Sequence, residues 1–94
     1  MALLDLLGRR WNMRLLWELR GEPLNFRALQ QACGGLSPSV LNTRLAELRQ
    51  AQLVDGGDAG YTLSRQGQAL LKQFAPLNRW AEGWAAGLGK KRGK

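Results

Sequence analysis

The run Gly34-Gly35-Leu36-Ser37-Pro38 limits what this chain can become more than any other stretch, because one helix must stop and another must start inside it. Two glycines tolerate the left-handed backbone that ends a helix. Ser37 can accept a hydrogen bond from a free first-turn N–H, and Pro38 at the first helical position loses nothing by lacking its own. At about 100° per residue, Leu41, Leu45 and Leu48 then share one stripe with Val40 at its edge, while Ser39, Asn42, Thr43, Ala46 and Gln50 point away. The stripe predicts a packed helix. Its outer face carries short polar side chains that are poor helix formers but suit close hydrogen bonding to a flat partner.

Upstream, Pro23 and Leu24 are expected to be extended, with Asn25 capping a helix of about eight residues on which Phe26, Leu29 and Cys33 share a face. Leu36 should tuck into the core. Two short helices joined by a tight glycine turn form a helix-turn-helix, whose second helix is the one offered to a DNA major groove. Downstream, Leu53-Val54 and Tyr61-Thr62-Leu63 flank the Gly/Asp turn "DGGDAG" and read as a hairpin, a wing in this context. The expected class is mainly α with a small β-hairpin: a winged helix-turn-helix with flanking dimerisation helices.

The flanks are helical by pattern. Residues 2–7 form a short helix closed by Gly8 as a left-handed cap. A second helix is expected over residues 10–20, closed by Gly21. Trp11, Leu15 and Leu19 make one row on it, and Met13 and Trp17 make another. Two buried faces follow, with the monomer core preferred over a partner subunit as what covers the second. From the cap Ser64 to about Leu88, Leu70, Leu71, Phe74, Leu77, Trp80, Ala81, Trp84 and Leu88 recur at three- and four-residue steps, and Pro76 should kink or divide this helix.

Composition removes several function classes. There is no histidine and one cysteine, so neither an internal disulfide nor a His/Cys zinc site is expected. The acids Asp5, Glu18, Glu22, Glu47, Asp55, Asp58 and Glu82 are scattered, with no Ser/His pair and no phosphate-binding glycine loop, which argues against an enzyme and against a cofactor. No apolar run approaches the about 18 residues of a membrane span, and "MALLDLLGRR" does not resemble a signal peptide, so a cytoplasmic location is expected. The net charge of +7 is uneven: "KKRGK" holds four of the fourteen basic residues, leaving +3 on residues 1–89. Residues 1–89 are therefore expected to be the folded domain and 90–94 a basic, disordered tail.

The segments "DLLGRRWNMRLLWELRGEPLNFRAL", "LSPSVLNTRLAELRQAQLV", "YTLSRQGQALL" and "LNRWAEGWA" together resemble the HxlR-type, MarR-like winged-helix transcriptional regulators of bacteria and archaea. Ser37-Pro38, Val40-Leu41, Arg44-Leu45 and Glu47-Leu48 are the most specific part of the match. The resemblance implies a homodimer joined by its N- and C-terminal helices, with one recognition helix per subunit in the major groove of a two-fold operator. Three departures stand out. Many such proteins carry a sensing cysteine close to the N-terminus, whereas here the single cysteine is Cys33, expected as a buried hydrophobe. The wing is short and holds Asp55 and Asp58, which would repel phosphate. Gln52 stands where the family pattern has a helix-ending glycine, which implies strain or a different exit there.

The candidate DNA-binding residues are Arg27, Gln30, Ser37, Ser39, Asn42, Thr43 and Arg44, with Arg49 and Arg65 as weaker ones. Asn42 and Thr43 can meet base edges or merely line a solvated helix. Ser37 and Ser39 suit a phosphate oxygen or a simple cap. Arg44 can reach a phosphate or pair with Glu47. Leu77, Trp80, Trp84 and Leu88 are the expected dimer contact. The functional expectation is a sequence-specific regulator binding double-stranded DNA, without a membrane or metal partner; the alternative is a winged-helix interaction module without productive DNA contact. RNA reading is disfavoured, because the aromatics sit at helical core spacing.

Overall fold

The structure, a computed structural model, describes residues 2–57 and 60–92. The order is α1 (Ala2–Gly8), α2 (Asn12–Glu18), α3 (Phe26–Ala32), α4 (Pro38–Gln50), β1 (Val54–Gly57), β2 (Gly60–Leu63) and α5 (Arg65–Arg92). This is a winged helix-turn-helix, as the pattern predicts. Local chemistry sets the helix starts: Asn25 accepts from the Ala28 N–H at 2.7 Å, Ser37 from Val40 at 3.3 Å and Ser64 from Gly67 at 3.0 Å.

α3 ends in paired backbone bonds, Gly34 N–H to the Gln31 carbonyl and Gly35 N–H to the Gln30 carbonyl, with both glycines at positive φ. α4 ends the same way. The Gln52 N–H donates to the Arg49 carbonyl at 2.9 Å and the Leu53 N–H to the Leu48 carbonyl at 3.0 Å, closing a Schellman motif. Gln52 accordingly adopts φ 63, so the strain expected at this non-glycine exit is present.

β1 and β2 pair antiparallel with Val54 opposite Leu63 and Gly56 opposite Tyr61. Leu24 extends the ribbon by bonding Tyr61 in both directions, N–H to carbonyl at 3.0 Å and carbonyl to N–H at 2.7 Å. The sequence marks Leu24 as extended but not this pairing. Asp58 and Ala59, at the wing tip, lie outside the described residues.

One core holds these elements together. Leu15 and Leu16 of α2 with Leu19 just past its end meet Leu29 of α3 with Cys33 just past its end, Leu36 of the turn, Leu41, Leu45 and Leu48 of α4, Leu53 before the wing, and Val54 and Leu63 of the wing. Each buried leucine contributes about 1.5–3 kcal/mol relative to exposure. The helix-turn-helix is thereby fixed by its inner stripes, which leaves the outer face of α4 free of packing duties.

Several expectations change. Gly8 is the last helical residue and not a left-handed cap; Trp11 takes the left-handed conformation, at φ 81, in the turn before α2. That turn is closed by the Asn12 side chain, whose amide donates to the Leu6 carbonyl at 2.7 Å, so a side-chain bond replaces the glycine cap. α2 itself spans Asn12–Glu18 and ends two residues before residue 20, its last turn closed by Leu19 and Arg20 N–H bonds to Leu15 and Trp17. The second row of α2, preferred as monomer core, is not covered: Met13 is 40% and Trp17 53% exposed. Only the Leu15-Leu16-Leu19 side faces α3, α4 and the wing.

α5 runs unbroken through Pro76 for 28 residues. Proline there removes the N–H that would bond the Lys72 carbonyl, but positions 72, 73, 75 and 76 are exposed, so solvent can take that bond. The helix also continues through Arg92, three residues into the expected tail. Lys and Arg are good helix formers and are favoured at a helix C-terminus, where they oppose the backbone dipole. A helix of this length spans about 42 Å, which accounts for molecular extents of 53 × 27 × 26 Å.

Candidate nucleic-acid interface

The outer face of α4 is available. Ser39, Asn42, Thr43, Ala46, Arg49 and Gln50 are exposed, while Leu41, Leu45 and Leu48 hold the helix on the core. No acid lies on that outward stripe. Among its hydroxyls, Thr43 donates to the Ser39 carbonyl at 2.9 Å, which leaves its oxygen lone pairs outward as acceptors. Ser37 is engaged as the cap, so of its two readings the structural one is occupied. Val40 N–H is consumed by that cap and Pro38 has none, and among the described residues no acceptor reaches the Ser39 N–H. This donor and the Ser39 hydroxyl stand at the positive end of the helix, where an anion is favoured.

On α3, Arg27 is exposed, whereas Gln30 donates from Nε2 to the Leu36 carbonyl at 2.7 Å and so braces the glycine turn. Gln30 has its carbonyl oxygen left for other partners. Arg49 lies beside the wing: a Cβ added at Gly56 would touch its guanidinium at 3.4 Å and the Tyr61 ring at 3.3 Å. The wing itself shows Asp55 exposed on β1.

Arg44 is largely covered, and both Glu47 oxygens accept from its Nη1, at 2.9 and 3.0 Å. Glu47 also accepts from the Asn12 amide at 3.4 Å and lies 3.6 Å from Arg9. The Arg44 hydrogen bond, ahead of the Asn12 bond and the charges of Arg44 and Arg9, holds the Glu47 carboxyl below the usual value of 4.5 against an opposing push from burial. Within this cluster, Asn12 is fully buried, and its Oδ1 and the Arg44 Nε have no protein partner among the described residues. The network pins α1 and α2 onto α4. Sequence reasoning paired Arg44 with Glu47 as one option, but Asn12 and Arg9 belong to other elements and their roles carry no periodic signal.

On α5, Leu77, Trp80, Trp84 and Leu88 form an apolar row that is 55%, 62%, 56% and 43% exposed. Trp80 and Trp84 stack, with centroids 5.7 Å apart and planes 7° from parallel. Cys33 is buried, and desolvation raises its thiol pKa above the ordinary 9.0, outweighing the opposing charge of Arg14. Among the described residues no cluster of acids, cysteine or histidine is arranged to hold a metal ion, and no helix is long and apolar enough to cross a membrane.

A helix-turn-helix with an exposed polar outer face, a β-ribbon wing and a long terminal helix that bears an apolar row is the build of a winged-helix DNA-binding protein. The profile of the HxlR-like helix-turn-helix family matches residues 6–88, and the chain belongs to that family. It is 31% identical over 85 residues to the HTH-type transcriptional regulator YodB of Bacillus subtilis, covering 83% of this chain and 76% of that protein. The structure of quinone-bound YodB superposes with a TM-score of 0.80 at 31% identity, covering 87% of this chain and 92% of that one. A possible HxlR family transcriptional factor from Thermoplasma volcanium shares the fold, with a TM-score of 0.74 at 23% identity over 92% of this chain and 84% of its own. The family and these relatives are transcriptional regulators and not enzymes.

Proposed function

We propose that the protein acts as a homodimer that binds double-stranded DNA sequence-specifically, laying α4 of each subunit in the major groove of a two-fold operator. The observation that carries this reading is the exposed, acid-free stripe of Ser39, Asn42 and Thr43 on a helix anchored by three buried leucines. Asn42 suits bidentate pairing with adenine N6 and N7, and Thr43 offers an acceptor or a methyl contact to thymine. Arg27, Gln30, Ser37 and Ser39 lie at the entry to the motif, where backbone phosphates pass in such complexes. Arg44 joins them if phosphate draws it from Glu47, whose carboxylate then keeps Arg9 and Asn12 as partners.

Dimerisation through Leu77, Trp80, Trp84 and Leu88 supplies the two-fold axis. A domain of this size gains a shared core in that way, and two recognition helices one DNA turn apart follow from the symmetry. YodB is seen bound to quinone; that ligand is not carried over to this chain, whose one cysteine, Cys33, is buried.

Binding to selected and random duplexes across a salt series tests this. Two or three arginine–phosphate contacts per subunit predict a slope of log K against log salt of about −4 to −5, with clear preference for the selected sequence. No binding at low salt would leave the interaction-module alternative in its place.

A further inference from the structure

α4 and the long C-terminal helix α5 are separated in the chain by the wing, yet they are joined backbone to backbone where the wing begins and ends. α4 leaves its Schellman turn through Gln52 and Leu53, and both carbonyls of that exit are taken by one residue on the other side of the wing. The Ser64 hydroxyl donates to the Gln52 carbonyl at 2.6 Å, and the Ser64 N–H donates to the Leu53 carbonyl at 3.0 Å. The same hydroxyl accepts from the Gly67 N–H at 3.0 Å and so caps α5. Gly67 is buried against this exit; a Cβ there would run into the Leu53 carbonyl oxygen. One oxygen atom therefore ends the link from α4 and begins α5, with no intervening side chain to absorb a change of angle.

The lever is long. Trp84 lies twenty residues beyond Ser64, about 30 Å along the helix. A tilt of about 10° at Ser64 would move the dimer contact by about 5 Å, more than the roughly 3.4 Å rise of one base pair. We infer that Ser64 is a positioning residue that fixes the angle between α4 and α5 and thereby sets the half-site spacing the dimer reads. This rests on the proposed DNA-binding function and adds to it the element that determines operator spacing.

The experiment uses the full chain and duplexes carrying two selected half-sites whose spacing is varied by up to two base pairs either way. Wild type should show one optimum, losing about tenfold in affinity for each base pair away from it. Ser64→Ala removes both hydroxyl bonds; Ser64→Gly removes the bridge to Gln52 while keeping an acceptable helix cap, so the test stands if the alanine variant folds poorly. Both should remain dimers by light scattering and lose their spacing preference, with less than about threefold difference between adjacent spacings. Ser64→Thr keeps a hydroxyl and should restore the optimum. Variants that bind every spacing more weakly by one common factor, with the optimum unmoved, would show that Ser64 only stabilises the fold and would overturn the inference alone. A wild type that selects no half-site would remove the DNA-binding reading and the inference with it.

Discussion

Replacing Gln52 by glycine should stabilise the protein, although glycine is ordinarily a costly substitution. Gln52 sits at φ 63, where an L side chain costs about 1–2 kcal/mol. The two hydrogen bonds that close this exit, Gln52 to Arg49 and Leu53 to Leu48, are made by backbone groups and survive the change, as does the Gln52 carbonyl bond to Ser64. The side chain is exposed and makes no hydrogen bond among the described residues, so little packing is lost. Against the relieved strain stands the greater freedom of glycine in the unfolded chain, about 0.5–1 kcal/mol. The net expectation is a gain of about 0.5–1 kcal/mol, which for a domain of this length raises the melting temperature by roughly 2–8 °C. Thermal unfolding at fixed protein concentration, with Gln52→Asn and Gln52→Ala alongside, gives an ordered series: glycine most stable, asparagine intermediate, alanine close to glutamine. A Gln52→Gly variant that melts at or below the parent temperature would refute the strain argument.

Two further outcomes follow from the same geometry. Trp84→Asp places a carboxylate in the exposed tryptophan row and should give monomer by light scattering at micromolar concentration; a parent already monomeric there would remove the dimer proposal, and an aggregated variant would show that the ring covers its own core. The Glu47 carboxyl titrates below its ordinary 4.5 in the folded state, so its contribution is complete above that value and is lost as pH falls through the depressed folded value. The stability gap between parent and Glu47→Gln should therefore be constant near neutrality and shrink below about pH 4.5 in denaturation experiments; a gap that persists at about pH 3 would mean that the ionised form is not what α1, α2 and α4 recognise.

The features legible in the sequence are those fixed by chemistry within four residues. Asn25, Ser37 and Ser64 announce their helices because the capped N–H is three positions away, and Leu41, Leu45 and Leu48 announce the buried side of α4 by period alone. Gln52 was legible through the family resemblance, as a side chain standing where that pattern has glycine, and of the two outcomes this implied, strain or a different exit, its φ of 63 shows the strained one. What escaped depends on distant partners. Trp17 and Met13 look like core by spacing, yet they stay about half exposed at the edge of α5, with Arg20 laid over the Trp17 ring. Pro76 looks like a helix breaker, yet the residues around the bond it removes are exposed, so solvent can replace that bond. Asn12 gives no signal of burial, because its partners Leu6 and Glu47 come from two other helices. At the candidate interface, the outward placement of Asn42 and Thr43 follows from period, but the diversion of Gln30 to the Leu36 carbonyl and of Arg44 to Glu47 is settled only by three-dimensional neighbours.

The central claim is that the polar face of α4 reads base edges, and fluorescence anisotropy on a selected operator and its single-base variants tests it most directly. Asn42→Ala and Thr43→Ala should each fold like the parent and lose discrimination of about 1–3 kcal/mol at one base pair per half-site, while Arg44→Ala, if phosphate draws Arg44 from Glu47, weakens all sequences alike and flattens the salt slope by about one unit per site. Unchanged affinity and unchanged preference in both Asn42→Ala and Thr43→Ala would contradict the claim.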